Sequence, residues 1–270
     1  MQTKPAGLSD WVNFLREAQV PVLKRTVREL REARDQDHEV HVVTTILRHD
    51  PLMTLILLRY LQQNKRRSQV DEVVQVEQAL MMIGLQGFYD KVVPGLLAED
   101  VLKSQPAAII GLLHSVQQAT RSAYFARDWS IRLKDLHFDE IHVAALLHNF
   151  ADILLWCHTP EQMIQVRTLQ LQNSALRTRD AQRQVLGFKI SDLQLELAKT
   201  WQLPELLIHF MERNWAHERQ MRTLVLSVNL SRHLSNGWED AAFPDDYQDI
   251  SELLHLPPGQ VMELVREAKT

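Results

Sequence analysis

Apolar residues recur at helical spacing from near the start of the chain. Val22, Leu23, Thr26, Val27, Leu30 and Ala33 share one face of a 3.6-residue repeat, with Arg and Glu filling the other. Asp50-Pro51 marks a helix start: a carboxylate N-cap, then proline at the first helical position, where its missing N–H is no loss. The run Leu52–Leu61 is apolar nearly all round, which predicts a buried helix in which Arg59 must snorkel or find a partner. Asn64 to Ser68 is polar and reads as a solvated loop. Val73, Val76, Ala79, Leu80 and Ile83 form the next stripe, closed by Gly84 at a C′ position.

Further along, Ser104 is placed to cap a long helix running through Ile109, Leu112, Leu113, Val116 and Ala119 towards Ala126. Asp139 is placed to cap Ile141–Trp156, whose centre, Val143 to Leu147, is too apolar to face water. Thr159-Pro160-Glu161-Gln162 and Ser191-Asp192-Leu193-Gln194 both read as capping boxes. Leu203-Pro204 opens another helix, and Leu224–Leu234 carries one more. Asn236 to Asp249 reads as a turn-rich link before a short terminal helix begun by Leu256-Pro257-Pro258. The sequence holds no convincing strand pair, internal repeat or coiled-coil heptad. The pattern predicts an all-α protein.

Composition narrows the class. In 270 residues there are only 8 Gly and 10 Pro, too few breakers for a sandwich of many short strands. A net charge of −4 removes the broad basic field of a dedicated nucleic-acid binder, so no nucleic-acid partner is expected. One cysteine, Cys157, excludes an intrachain disulfide framework and fits a reducing, cytoplasmic compartment. Met1 to Asp10 lacks the pattern of a signal peptide, and no uninterrupted apolar run approaches the ~18 residues of a membrane span.

Candidate chemistry must come from polar groups embedded in the apolar helices. His148 and Asp152, four residues apart, are expected on one helix face, and His114 lies in the earlier apolar helix. Were those helices to pack together, the three side chains could supply metal ligands with one position open for water. The plainer reading makes each histidine a hydrogen-bonded core residue and Asp152 a surface acid, and spacing alone favours it. Cys157-His158 invites a nucleophile–base reading, but adjacent helical residues diverge by about 100°, so a structural cysteine fits better. His209 and His217 sit among charged residues and read as solvated. The six tryptophans are scattered and read as packing anchors.

Several blocks, taken in order, resemble the HDOD domain, the HD-related output domain of bacterial signalling proteins and a divergent relative of the HD metal phosphohydrolases. They are Val20-Pro21 with its following helix, Asp50-Pro51-Leu52 through Leu58-Arg59, Glu77 to Gly84, Leu113-His114-Ser115, Ala145-Leu146-Leu147-His148-Asn149 and Trp201-Gln202-Leu203-Pro204. The resemblance covers about residues 19–215. It implies a compact two-lobed helical bundle, with an N-terminal lobe at 19–100 and an HD-like C-terminal lobe at 104–215. Residues 1–18 would be a separate helical segment, and 216–270 a helical extension packed on the HD-like lobe. Where HD hydrolases carry a metal-ligating aspartate, this chain has Asn149; where later histidines are found, it has Ile190 and Asn214. The remnants His114, His148 and Asn149 lack a carboxylate of the motif, so no metal and no cofactor is expected. The resemblance thus implies a non-catalytic signalling module in the bacterial cytosol. It would bind a signalling protein or a small ligand, with a pocket at His114, His148, Asn149, Asp152, Ile190 and Asn214. The competing expectation is a metal-dependent phosphohydrolase or phosphodiesterase with a reduced HD site.

Overall fold

The computed structural model describes residues 5, 7–65, 72–173, 176–212 and 218–268. Among them the chain is all-α. Helices α1 (Leu8–Glu17), α2 (Lys24–Asp35), α3 (Val40–Arg48) and α4 (Pro51–Gln63) are followed by α5 (Val76–Ile83), α6 (Leu85–Lys91) and α7 (Ala98–Val101). The long α8 (Pro106–Arg132) leads into α9 (Phe138–Leu146), α10 (Phe150–His158), α11 (Pro160–Gln172) and α12 (Thr178–Leu186). Then come α13 (Ile190–Thr200), α14 (Glu205–Glu212), α15 (Arg219–Leu234), α16 (Phe243–Leu254) and α17 (Pro258–Glu267). The one β-type pairing among the described residues is an isolated bridge between Val22 and Leu97.

Packing groups the chain into two units, one from Met1–Val116 with Asn149–Glu212, the other from Gln117–His148 with Arg213–Thr270. In the first unit, α4 is the buried helix its composition predicts, with Pro51 to Leu55, Leu57 and Leu58 all inside. Asp50, 1% exposed, caps it by accepting the Met53 N–H at 2.9 Å, and Thr26 of α2 donates its hydroxyl to the same carboxylate. Burial pushes the Asp50 carboxyl above the usual carboxylate range, against the pull of those hydrogen bonds. Arg59 finds the partner it needs: its guanidinium donates to the carbonyls of Ala18 (3.2 Å) and Arg16, and lies 4.5 Å from the centroid of the Trp201 ring. α1 is therefore bound into this unit, where it packs on α13 with Trp11 and Leu15 buried.

The second unit has a separate core. Phe125 and Trp129 of α8 stack at 5.5 Å and pack with Leu226 and Leu230 of α15, Ile250 and Leu253 of α16, and Val261 and Val265 of α17. α16 corrects the expected turn-rich link. The Asn, Gly, Asp and Pro residues there suggest turns. However, Pro244 sits in the first turn with Asp245 and Asp246, where proline and acids suit a helix start, and Phe243, Ile250, Leu253 and Leu254 are buried at helical spacing.

Three other boundaries also move. α8 begins at Pro106, not at Ser104, with the Gln105 carbonyl accepting from Ala108 and Ile109 at 2.9 and 3.2 Å, and it runs on to Arg132. Asp139 lies inside the first turn of α9 and pairs with Arg127 at 3.1 Å instead of capping. Ser191 is the second residue of α13, whose N-cap is Lys189, so the second capping box does not form. At the first box Pro160 does open α11, but the Thr159 hydroxyl bonds the Gln162 side chain rather than a backbone N–H. The expected single helix over 141–156 is two helices. His148 Nδ1 lies 2.7 Å from the Ala145 carbonyl, the group a continuous helix would offer to the N–H of Asn149. By length and composition Phe138–His158 is also apolar enough to cross a membrane, but 78% of that window is buried, so its hydropathy is that of core helices.

Four helices of the first unit take an N-terminal cap from far along the chain or across a turn. Glu99 accepts the Lys24 N–H of α2 with both oxygens, at 2.9 and 3.1 Å. Glu72 accepts the Glu205 N–H of α14, Gln194 the Ala151 N–H of α10 at 3.3 Å, and Gln182 the Ile190 N–H of α13 at 3.2 Å. Each satisfies one of the N–H groups that a helix start leaves without an internal partner. Glu99→Ala is expected to lower unfolding stability by about 1–2 kcal/mol, the value of a cap plus its charge at a helix N-terminus. Glu99→Gln should recover part of that loss. Urea denaturation of the three proteins checks the order.

Candidate functional site

The region carrying the HD-like residues is built where α8 meets α10 within the first unit. α8 offers Gly111 and Ser115, one helical turn apart; α10 offers Asp152 and Trp156, also one turn apart. The Trp156 ring lies so close to Gly111 that a Cβ there would fall 2.6 Å from Cζ3 and nearer still to two other ring carbons. Glycine is thus required by close approach, not by backbone angle. One turn on, the buried Ser115 hydroxyl donates to Asp152 Oδ2 at 2.6 Å. Asn149 precedes α10 as its N-cap, and its Nδ2 donates to the Ser115 carbonyl at 3.1 Å. Gln194, 6% exposed, reaches from α13 to the Ala151 N–H in the first turn of the same helix. Burial pushes the Asp152 carboxyl above the usual range, while the Ser115 hydroxyl and the Trp156 indole pull it back. Asn149 Oδ1 is buried and has no hydrogen-bond partner in the structure.

The residues singled out by sequence fall into different environments. His114 is exposed, and the neighbour beside it, Ser115, is the one that turns inward to Asp152. His148 and Asp152 do not share a helix face, because His148 sits in the turn before α10, assigned by packing to the second unit. Ile190 is 5% exposed at the first position of α13, among the buried hydrophobic residues. Asn214 lies outside the described residues, as do Trp215, His217 and most of the 64–68 loop. Among the described residues no group of three or more His, Cys, Asp or Glu side chains is arranged to hold a metal ion. The donor set also fails chemically. Asn149 points an N–H into the cluster, Asp152 is engaged by a hydroxyl, and an HD-type metal does not fit these residues.

Cys157 is 3% exposed and burial pushes its thiol up to about 12, which leaves no thiolate at neutral pH for nucleophilic chemistry. His158 is held below its usual value by burial and meets the Phe14 ring edge-on at 5.7 Å. Of the tryptophans, Trp11, Trp129, Trp156 and Trp201 are buried anchors, whereas Trp238 is 58% exposed. Gly111, Ser115, Trp156 and Gln194 were not singled out for this site from sequence. The available signal was a glycine inside a helical pattern with a small residue four positions later, a spacing that lets another helix come close.

Gly111→Ala is expected to lose about 1–3 kcal/mol by forcing the indole aside, although alanine is the better helix former. Denaturant melts compare the two. Asp152 gives a pH signature with a defined sign. Its folded-state value is raised, so its contribution to stability is full below the unfolded carboxylate value and fades as pH rises through the folded one. The stability of the protein relative to Asp152→Asn should therefore fall from acid towards neutral pH, as measured by urea melts across that range.

The family model for the HDOD domain matches residues 20–217. Among solved structures, the MmoQ response regulator from Methylococcus capsulatus str. Bath is 17% identical and aligns with a TM-score of 0.67 over 91% of this chain and 97% of that one. A virulence factor from Campylobacter jejuni subsp. jejuni is 16% identical, with a TM-score of 0.66 over 91% of this chain and 89% of that one. At such identities these likenesses establish the all-helical fold and nothing more. No curated protein matches the chain. With the family model covering well over half its length and the fold in agreement, the chain belongs to the HDOD domain family.

Proposed function

We propose that this protein is a non-catalytic regulatory module of the bacterial cytoplasm that works by binding a signalling protein rather than by hydrolysing a phosphoester. The observation that carries this reading is the hydrogen bond from the Asn149 amide to the Ser115 carbonyl. An aspartate in that place would set two acceptors against each other at 3.1 Å, which a proton, a cation, a water or a turn of the side chain would have to relieve. Asparagine makes this contact a neutral one, at the position that the resemblance matches to the metal-ligating aspartate of HD hydrolases. The Ser115–Asp152 pair and the seat of Trp156 on Gly111 then lock the two helices together. A fixed, neutral cluster suits a scaffold whose output is a surface. Cys157, the single cysteine, is a buried free thiol, which agrees with a reducing compartment.

The reading is tested by metal analysis and by hydrolysis assays on protein purified without chelator. The protein is not expected to hold zinc, iron or manganese at stoichiometric level, and it should not cleave bis(p-nitrophenyl) phosphate or a cyclic dinucleotide. Asn149→Asp should also lose about 1–3 kcal/mol, since it removes a donor from a buried carbonyl. Stoichiometric metal in the unmodified protein, lost on His148→Ala together with phosphodiester cleavage, would overturn the proposal.

A further inference from the structure

The charge of this chain is not evenly spread. Between Gln162 and Ser191 it carries Arg167, Arg177, Arg179, Arg183 and Lys189 against one acid, Asp180, a local balance of +4. The whole chain is −4, so everything outside that stretch carries −8. The stretch folds as α11, α12 and the start of α13, and α11 and α12 pack closely on each other. Gln170 of α11 donates to the Thr178 hydroxyl of α12 at 2.8 Å, which fixes the end of one helix beside the start of the other. Arg179 and Arg183 are four residues apart on one face of α12, with side chains 56% and 53% exposed. They share the single carboxylate of Asp180 at 3.9 and 3.8 Å, so that one negative charge offsets two guanidinium groups. Arg167 and Arg177 are exposed as well, and Leu171 on α11 leaves 78% of itself in solvent.

We propose that this corner, Arg167 and Leu171 of α11 with Arg177, Arg179 and Arg183 at the start of α12, is the docking surface for a short acidic segment of a partner protein. That the partner is a protein rests on the adaptor reading above; the place and its charge rest on the helices themselves. The guanidinium forks match carboxylates two bonds at a time, and Leu171 offers an apolar anchor beside them. Length decides against a nucleic acid. α12 is nine residues long, about 13 Å, whereas a duplex carries a charge roughly every 1.7 Å and would extend from the patch over a protein that is otherwise negative. A segment of a few acidic residues ends before that repulsion begins.

The probe is a fluorescein-labelled peptide of about five residues, glutamates with one central leucine, short enough to end near the patch, titrated with the full chain at low salt and read by anisotropy. Binding should weaken steeply with added salt and should fall about tenfold or more in Arg179→Glu/Arg183→Glu. The charge-keeping pair Arg179→Lys/Arg183→Lys should retain most of it, which separates docking from misfolding. Arg28→Glu/Arg31→Glu on α2 changes the net charge equally and should leave binding unchanged. The proposal is overturned if the peptide does not bind, if the α2 pair weakens it as much as the α12 pair, or if a short DNA duplex of equal charge binds more tightly. Because metal content and hydrolysis are measured separately, failure here leaves the adaptor reading intact and moves its surface elsewhere.

Discussion

The first unit depends on satisfying the N–H groups at its helix starts with side chains that come from elsewhere in the chain. α2, α10 and α13 have no side-chain cap from their own N-cap residues, and these helices and α14 each take an acceptor from a residue outside their own first turn. Glu99 is 75 positions from the N–H it serves and Glu72 is 133 positions away. At α10 the N–H is buried, so leaving it without a partner would cost more than a hydrogen bond returns; at the more exposed starts of α2, α13 and α14 the contacts still tie helix ends to distant parts of the chain. The helices and their packing are therefore specified together, not one after the other.

That coupling explains which features could be read from the sequence. Local signals were legible: Asp50-Pro51 begins α4, Gly84 ends α5 with a φ of 77°, and the periodic stripes of α2, α4 and α15 lie inside. Long-range signals were not. Gln194 looks like the closing glutamine of a capping box for its own helix, yet it turns inward to cap α10. The break between α9 and α10 was also hidden, since Leu147-His148-Asn149 has no glycine or proline and sits in a strongly apolar run; it follows from His148 taking the Ala145 carbonyl. The candidate site was legible in its region, through Asn149 and Asp152, and misread in its members, because whether His114 or Ser115 faces inward is a question of helix rotation that one turn of pattern cannot settle.

The cluster at Asn149 and the basic corner at α12 are opposite in character. One is a neutral, closed hydrogen-bond network that holds helices in place; the other is an open concentration of positive charge on a protein that is otherwise acidic. Under the proposed function both would be needed, because long-range attraction is useful only if the groups that finally meet are already positioned.

Arg59 has a consequence for where the functional molecule begins. The family match opens at residue 20, yet the carbonyls that receive this guanidinium belong to Arg16 and Ala18, and the Trp201 indole N–H also points at Arg16, at 3.4 Å. A protein trimmed to the family boundary would keep the cation and its aromatic platform while losing both acceptors, and would uncover the seats of Trp11 and Leu15. The contacts that settle Arg59 thus reach beyond the stretch by which the family is recognised, and the residues before it serve as the receptor for a charge set forty positions downstream.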